Sequence, residues 1–158
     1  MKPTPSAQLS KLLSRFPPEI VALAKRTLPK LRRAFPGTYE LVYDYAGSLV
    51  VSFSPTEQGY EGIVALSIDP RRVRLYFDKS LADPKGLLEG AGSKVRSVTL
   101  EAASQLDRGD VHELVAAAIE HSGVTFTRTV ATRMIFKSEA KKSKPTKSKK
   151  AMKKSPKK

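Results

Sequence analysis

The segment 87–96, LLEGAGSKVR, sets Gly90 and Gly92 beside Lys94 and Arg96. A Gly-x-Gly turn can aim consecutive backbone amides at one anion, and two nearby cations would add charge at the same spot. Neither common nucleotide motif fits. The Walker pattern needs a lysine directly after its last glycine at the start of a helix, and here Ser93 intervenes and a strand is expected to follow. The dinucleotide pattern needs a third glycine near Arg96 and Ser97. What remains is an anion-binding loop at Gly90, Gly92, Lys94 and Arg96. The simpler alternative is a sheet connection in which both glycines take positive φ and the cations are solvated.

Carboxylates and histidines are the other residues with chemistry to offer. Alternation places Glu40 and Asp44 on one face of a strand, and Asp69, Asp78, Asp83 and Glu89 fall near strand ends. Such oxygens could hold iron or another hard cation if the fold gathered them, and spacing alone does not. His112 and His121 lie nine positions apart, on opposite flanks of one expected helix, so they cannot share a metal within one chain. No Ser, His and Asp stand at a spacing that suggests a nucleophile. With no cysteine, the chain has no disulfides, thiolate metal sites or thiol redox chemistry. The sequence therefore predicts a binding protein rather than an enzyme, with no cofactor.

The strongest cationic signal is elsewhere. Residues 137–158 carry 11 lysines and one acid, Glu139, whereas residues 1–136 hold 18 basic and 14 acidic residues. Met152 is the only large apolar side chain in the tail, which is too little to offset the entropy of ordering it. A globular domain over 1–136 and a disordered lysine-rich tail over 137–158 are expected. Lysines on a loose chain bind phosphates by releasing condensed counterions, without defined geometry. The closing Lys153, Lys154, Ser155, Pro156, Lys157 and Lys158 resemble the Ser-Pro-Lys-Lys units of linker-histone tails, present here once, which with Lys149 and Lys150 implies nucleic acid as the partner. No apolar run has signal-peptide length or approaches the roughly 20 residues of a membrane span, so a cytoplasmic, nucleoid-associated protein is expected.

The elements that must carry these residues follow from periodicity. Leu9, Leu12, Leu13 and Phe16 recur at helical spacing behind Ser6, and Pro17-Pro18 separates them from a second helix. In that helix Ile20, Leu23, Ala24, Leu28 and Leu31 form an apolar stripe opposite Lys25, Arg26, Arg32 and Arg33, and Pro29 predicts a kink or break. Beyond Phe35-Pro36-Gly37 the period falls to two. Strands are expected near 39–45, 49–53, 63–68, 73–77 and 94–100. Arg72, Arg74 and Tyr76 should give the fourth a polar, basic face. A helix follows, capped by Asp107 with Asp110 in the capping-box position and ended by Gly123, and 124–136 adds an edge strand. This order predicts an α+β two-layer sandwich, with helices from both termini on a mostly antiparallel sheet of five to six strands.

From Phe16 to Gly123 the chain resembles the YdhG-like domain family. The likeness rests on helix-Phe35-Pro36 leading to Glu40 and Tyr43, then Leu75-Tyr76-Phe77, Leu88-Glu89-Gly90-x-Gly92 with Lys94 and Arg96, and the 107–119 helix. The resemblance implies a frataxin-like fold and, for some relatives, iron delivery. Where frataxins carry an acidic first helix, this chain has Lys25, Arg26, Lys30, Arg32 and Arg33.

Overall fold

The structure is a computed structural model and describes residues 4–58, 62–78, 80–83, 85–89, 95–126 and 133–137. Helices α1 (Pro5–Leu13) and α2 (Pro18–Ala34) precede strands β1 (Tyr39–Asp44), β2 (Leu49–Ser54), β3 (Val64–Ile68), β4 (Val73–Asp78) and β5 (Val95–Leu100). A 3-10 helix at Ala103–Leu106, helix α3 (Asp110–Ser122) and strand β6 (Arg133–Lys137) complete it. The sheet order is β5-β4-β3-β2-β1-β6. Every pairing is antiparallel except β1 with β6. The α+β sandwich expected from the sequence is therefore observed, with the last strand added in parallel beside the first.

Alternation along the strands separates two faces. Val42, Leu49, Val51, Phe53, Leu66, Leu75 and Phe77 join one buried cluster with the apolar stripes of all three helices. In α2 that stripe is Ile20, Ala24, Leu28 and Leu31, each 6% exposed or less. Each buried leucine of this kind contributes about 1.5–3 kcal/mol by leaving water. Phe35 ends α2 inside the core, its ring 5.8 Å from both Phe53 and Phe126.

Local chemistry refines several sequence expectations. The α1 cap is Thr4, whose Oγ1 accepts the Ala7 amide at 3.1 Å, rather than Ser6, since Pro5 already opens the helix. α2 runs unbroken through Pro29 for 17 residues. The ring forfeits only one amide bond, on a side of the helix that faces solvent, while the opposite stripe is held by the core. The residue before α3 is Gly109, at φ 89°, not Asp107; the chain from Ala103 to Leu106 instead makes a 3-10 turn. Gly123 ends α3 in the left-handed conformation, as expected.

Candidate functional site

Of the four residues of the expected anion loop, Gly90, Gly92 and Lys94 lie outside the described residues, and Arg96 is in β5. Arg96 pairs with Phe77 across the β4–β5 ladder, and its Nη2 donates to the Leu81 carbonyl at 3.2 Å. Glu89 and Ser97 exchange two backbone bonds of 2.7 and 2.9 Å, so Leu88-Glu89 is tied to β5 just before the glycines. Asp83 accepts the Leu87 and Leu88 amides, both at 2.9 Å. Those two amides, with the Arg96 charge adding to them, hold the Asp83 carboxyl below the usual aspartate range. Arg96 thus serves the connection between β4 and β5. The tail residues Lys149, Lys150, Lys153, Lys154, Ser155, Pro156, Lys157 and Lys158 all lie outside the described residues.

The carboxylates considered as metal ligands are not gathered. Glu40 and Asp44 do share one face of β1, and both face the helices, but each meets an arginine. Arg32 of α2 donates Nε and Nη2 to Glu40 at 2.6 and 3.0 Å, and Glu40 is 1% exposed. Arg15, after α1, approaches Asp44 at 2.7 Å and also donates to the Tyr45 and Ser48 carbonyls, closing the β1–β2 turn. Asp69 accepts the Arg71 and Arg72 amides in the β3–β4 turn. Among the described residues no three acidic or histidine side chains form a metal-binding group.

Two clefts open beside the histidines. One, of about 390 Å³, lies between α2 and α3 and is lined by Leu31, Ala34, Val115 and Ile119 with His112 and Lys30. His112 Nδ1 is 2.9 Å from the Leu106 carbonyl, to which it donates. Lys30 donates to both oxygens of Asp107 at 2.8 and 2.9 Å, and this bond depresses the Asp107 carboxyl. The other, of about 400 Å³, is lined by Ile63, Asp78, Leu81, Ala118 and His121. Here the fold joins residues that sequence spacing did not: His121 Nε2 lies 2.9 Å from Ser80 Oγ, which donates to Asp78 Oδ1 at 2.8 Å. The serine is in the middle of this chain. Its proton already goes to Asp78, so the imidazole must donate to Ser80 rather than take its proton, the reverse of an activated serine. The signal was absent from the sequence because 41 residues separate Ser80 from His121.

The face of the sheet turned away from the helices is different in kind. Registered pairings set its middle row as Ile135, Leu41, Ser52, Ala65, Tyr76 and Ser97. An adjacent row contains Lys137, Tyr43, Val50, Ser67, Arg74 and Thr99. Small side chains on β2 and β3 therefore form a floor. It is flanked by tyrosines and cations on β1 and β6 at one side and by Arg74 and Tyr76 on β4 at the other. Arg74 and Tyr76 stand on this side, as expected for β4, but Asp78 shares their alternation and Arg74 meets Asp69 at 3.5 Å, so the face is polar rather than simply basic. Arg133 is exposed, and its guanidinium lies 4.1 Å from the Tyr39 ring centroid; that of Arg74 lies 5.4 Å from the Tyr76 ring. Tyr43 and Tyr45 stack in parallel with centroids 6.1 Å apart.

No family model, no curated protein and no solved structure matches the chain. No helix among the described residues is long and apolar enough to cross a membrane.

Proposed function

We propose that the chain is a binding protein for nucleic acid, in which a YdhG-like, frataxin-like domain carries a lysine-rich segment that supplies sequence-indifferent affinity in the cytoplasm, at the nucleoid. The observation that carries this reading is the segregation of charge: 11 lysines against one acid over 137–158. A polymer of phosphates is the partner that rewards such a run, because each contact releases counterions whatever the local geometry. The ends of the domain lend support. β6 finishes at Lys137, on the sheet face that also bears Arg133 and Arg74, so the lysine run leaves the domain at the edge of that face.

The test is the salt dependence of binding to a short DNA duplex. The full chain should lose affinity steeply between about 50 and 200 mM salt. Replacing Lys149, Lys150, Lys153, Lys154, Lys157 and Lys158 by glutamine should lower the slope of log affinity against log salt by up to about 5. An unchanged slope rules the reading out.

A further inference from the structure

The cleft between α2 and α3 has an apolar interior and a surplus of positive charge at its mouth. Leu31 and Val115 form its buried floor, 0% and 6% exposed, and Ala34, Leu106, Ala116 and Ile119 form its walls. Its volume of about 390 Å³ lies in the range of small-molecule sites. A dry cavity of about 150 Å³ holds a benzene ring, so an open cleft of this size takes a body of about eight to ten carbons.

Three cations surround the one carboxylate that lines this cleft among the described residues. Lys30 donates to both oxygens of Asp107, and the charges of Arg33 and Arg108 act on the same carboxyl and add to its depression. Lys30 and Asp107 neutralise each other. Arg33, which lines the cleft, is exposed and meets no carboxylate among the described residues, and neither does Arg108. The acids of α3 do not supply the balance. Asp110 and Glu113 are held by Lys85 beside a separate cleft lined by Leu114 and Ala117, and Glu120 is exposed outside both clefts.

The remaining polar group of the cleft is His112, whose Nδ1–H is used by the Leu106 carbonyl. In its neutral form the ring therefore offers Nε2 as an acceptor, and the donor left for an anion is the Arg33 guanidinium, whose planar fork matches a carboxylate. A bare inorganic anion would leave the apolar walls unused, and an uncharged apolar molecule would leave Arg33 unused. We infer that the cleft between α2 and α3 binds a small amphiphilic carboxylate, with its apolar body between Ala34 and Ile119 and its head at Arg33. Such a site is independent of the nucleic-acid reading of the lysine run.

The test uses the full, isotope-labelled chain and three probes: octanoate, 1-octanol and acetate. Amide resonances of Ala34, Ala116 and Ile119 should shift saturably with octanoate and with octanol, and should not move with acetate at the same concentration. Octanoate should bind about fivefold more tightly than octanol, the gain expected of one charge-assisted contact in a solvent-open mouth. Arg33→Gln should abolish that difference while leaving octanol binding unchanged. Lys25→Gln removes the same charge from the opposite flank of α2, against α1, and should keep the difference. Ala116→Leu places a larger side chain in the cleft and should weaken both octanoate and octanol.

Octanoate shifts that fall elsewhere than on the cleft residues overturn the site, and so does equal affinity for octanoate and octanol in the parent chain. An undiminished preference in Arg33→Gln overturns it as well, and because Arg33 is exposed this variant keeps the test decisive if the leucine at 116 disturbs the packing of α3. Circular dichroism of each variant checks that the fold is retained.

Discussion

At the scale of single residues, the arginine that ties helix to sheet is the most consequential. Glu40 is buried to 1% exposure, and its two oxygens accept from Arg32, whose side chain is 33% exposed. Such a pair gains little over two apolar residues of the same volume, but a buried carboxylate left alone is costly. Arg32→Ala should therefore destabilise the chain by about 3 kcal/mol, near the lower end for a broken buried pair because Arg32 is partly in water. Glu40→Gln should cost less, since its amide keeps one acceptor oxygen for the arginine. Urea unfolding of the two variants measures both. A cost for Arg32→Ala below that for Glu40→Gln would contradict this account. Sequence spacing put Glu40 on the correct face of β1, and put Arg32 on the opposite, solvated arc of α2. The arginine's length explains the difference: its guanidinium reaches around the helix to a strand eight residues away.

Among the elements, α2 shows how packing overrides a local rule. Pro29 cannot donate to the Lys25 carbonyl, yet the helix continues to Ala34. The reason is the neighbouring stripe. Ala24, Leu28 and Leu31 are 3% exposed or less and hold both halves of the helix on the sheet, while Pro29 itself is exposed. Pro29→Ala should restore the missing bond, and part of that gain is offset by the freedom the unfolded chain recovers without the ring. A net stabilisation of about 1–2 kcal/mol is expected, read as a melting temperature higher by about 3–6 °C. A fall in melting temperature would show that the helix is shaped by its proline. The strands were far more legible than this helix interior. Period-two runs placed β1 to β5 within a residue or two, because each buries one face and alternation registers that directly. Two things were not written in any short window. One is the parallel pairing of β6 with β1, which is set by where α3 delivers the chain. The other is the chain of hydrogen bonds from His121 through Ser80 to Asp78, which needs the end of α3 to arrive beside β4. The outer sheet face was half visible: Arg74 and Tyr76 were expected to point outward, but that Tyr76 shares a row with Leu41 and Ile135, and Arg74 one with Tyr43 and Lys137, is a property of register across the sheet.

For the whole molecule, charge decides how stability responds to pH. The Asp83 and Asp107 carboxyls are held below the ordinary aspartate value, by the Leu88 and Leu87 amides and by Lys30 respectively. A group whose folded value is depressed adds stability that is complete above its unfolded value, about 3.9, and disappears as pH falls through the folded one. Lys85 is the mirror case. Hydrogen bonds to Asp110 and Glu113 raise its value, so its contribution is complete below about 10.4 and is lost as pH climbs through the higher folded value. Between these limits the melting temperature should be nearly flat, and it should fall on the acid side below about pH 4. That fall is reinforced by the net charge of +14 at pH 7, which climbs further as carboxylates protonate and leaves the chain repelling itself. Added salt should soften the acid fall, because screening acts on the repulsion but little on the amides that hold Asp83. The residue responsible can be followed separately: the amide resonances of Leu87 and Leu88 should titrate together with a midpoint below 3.8, the ordinary value for Asp83. A midpoint at or above it would mean that the carboxylate is not held by those amides, and that the acid limit of this fold is set by charge repulsion alone.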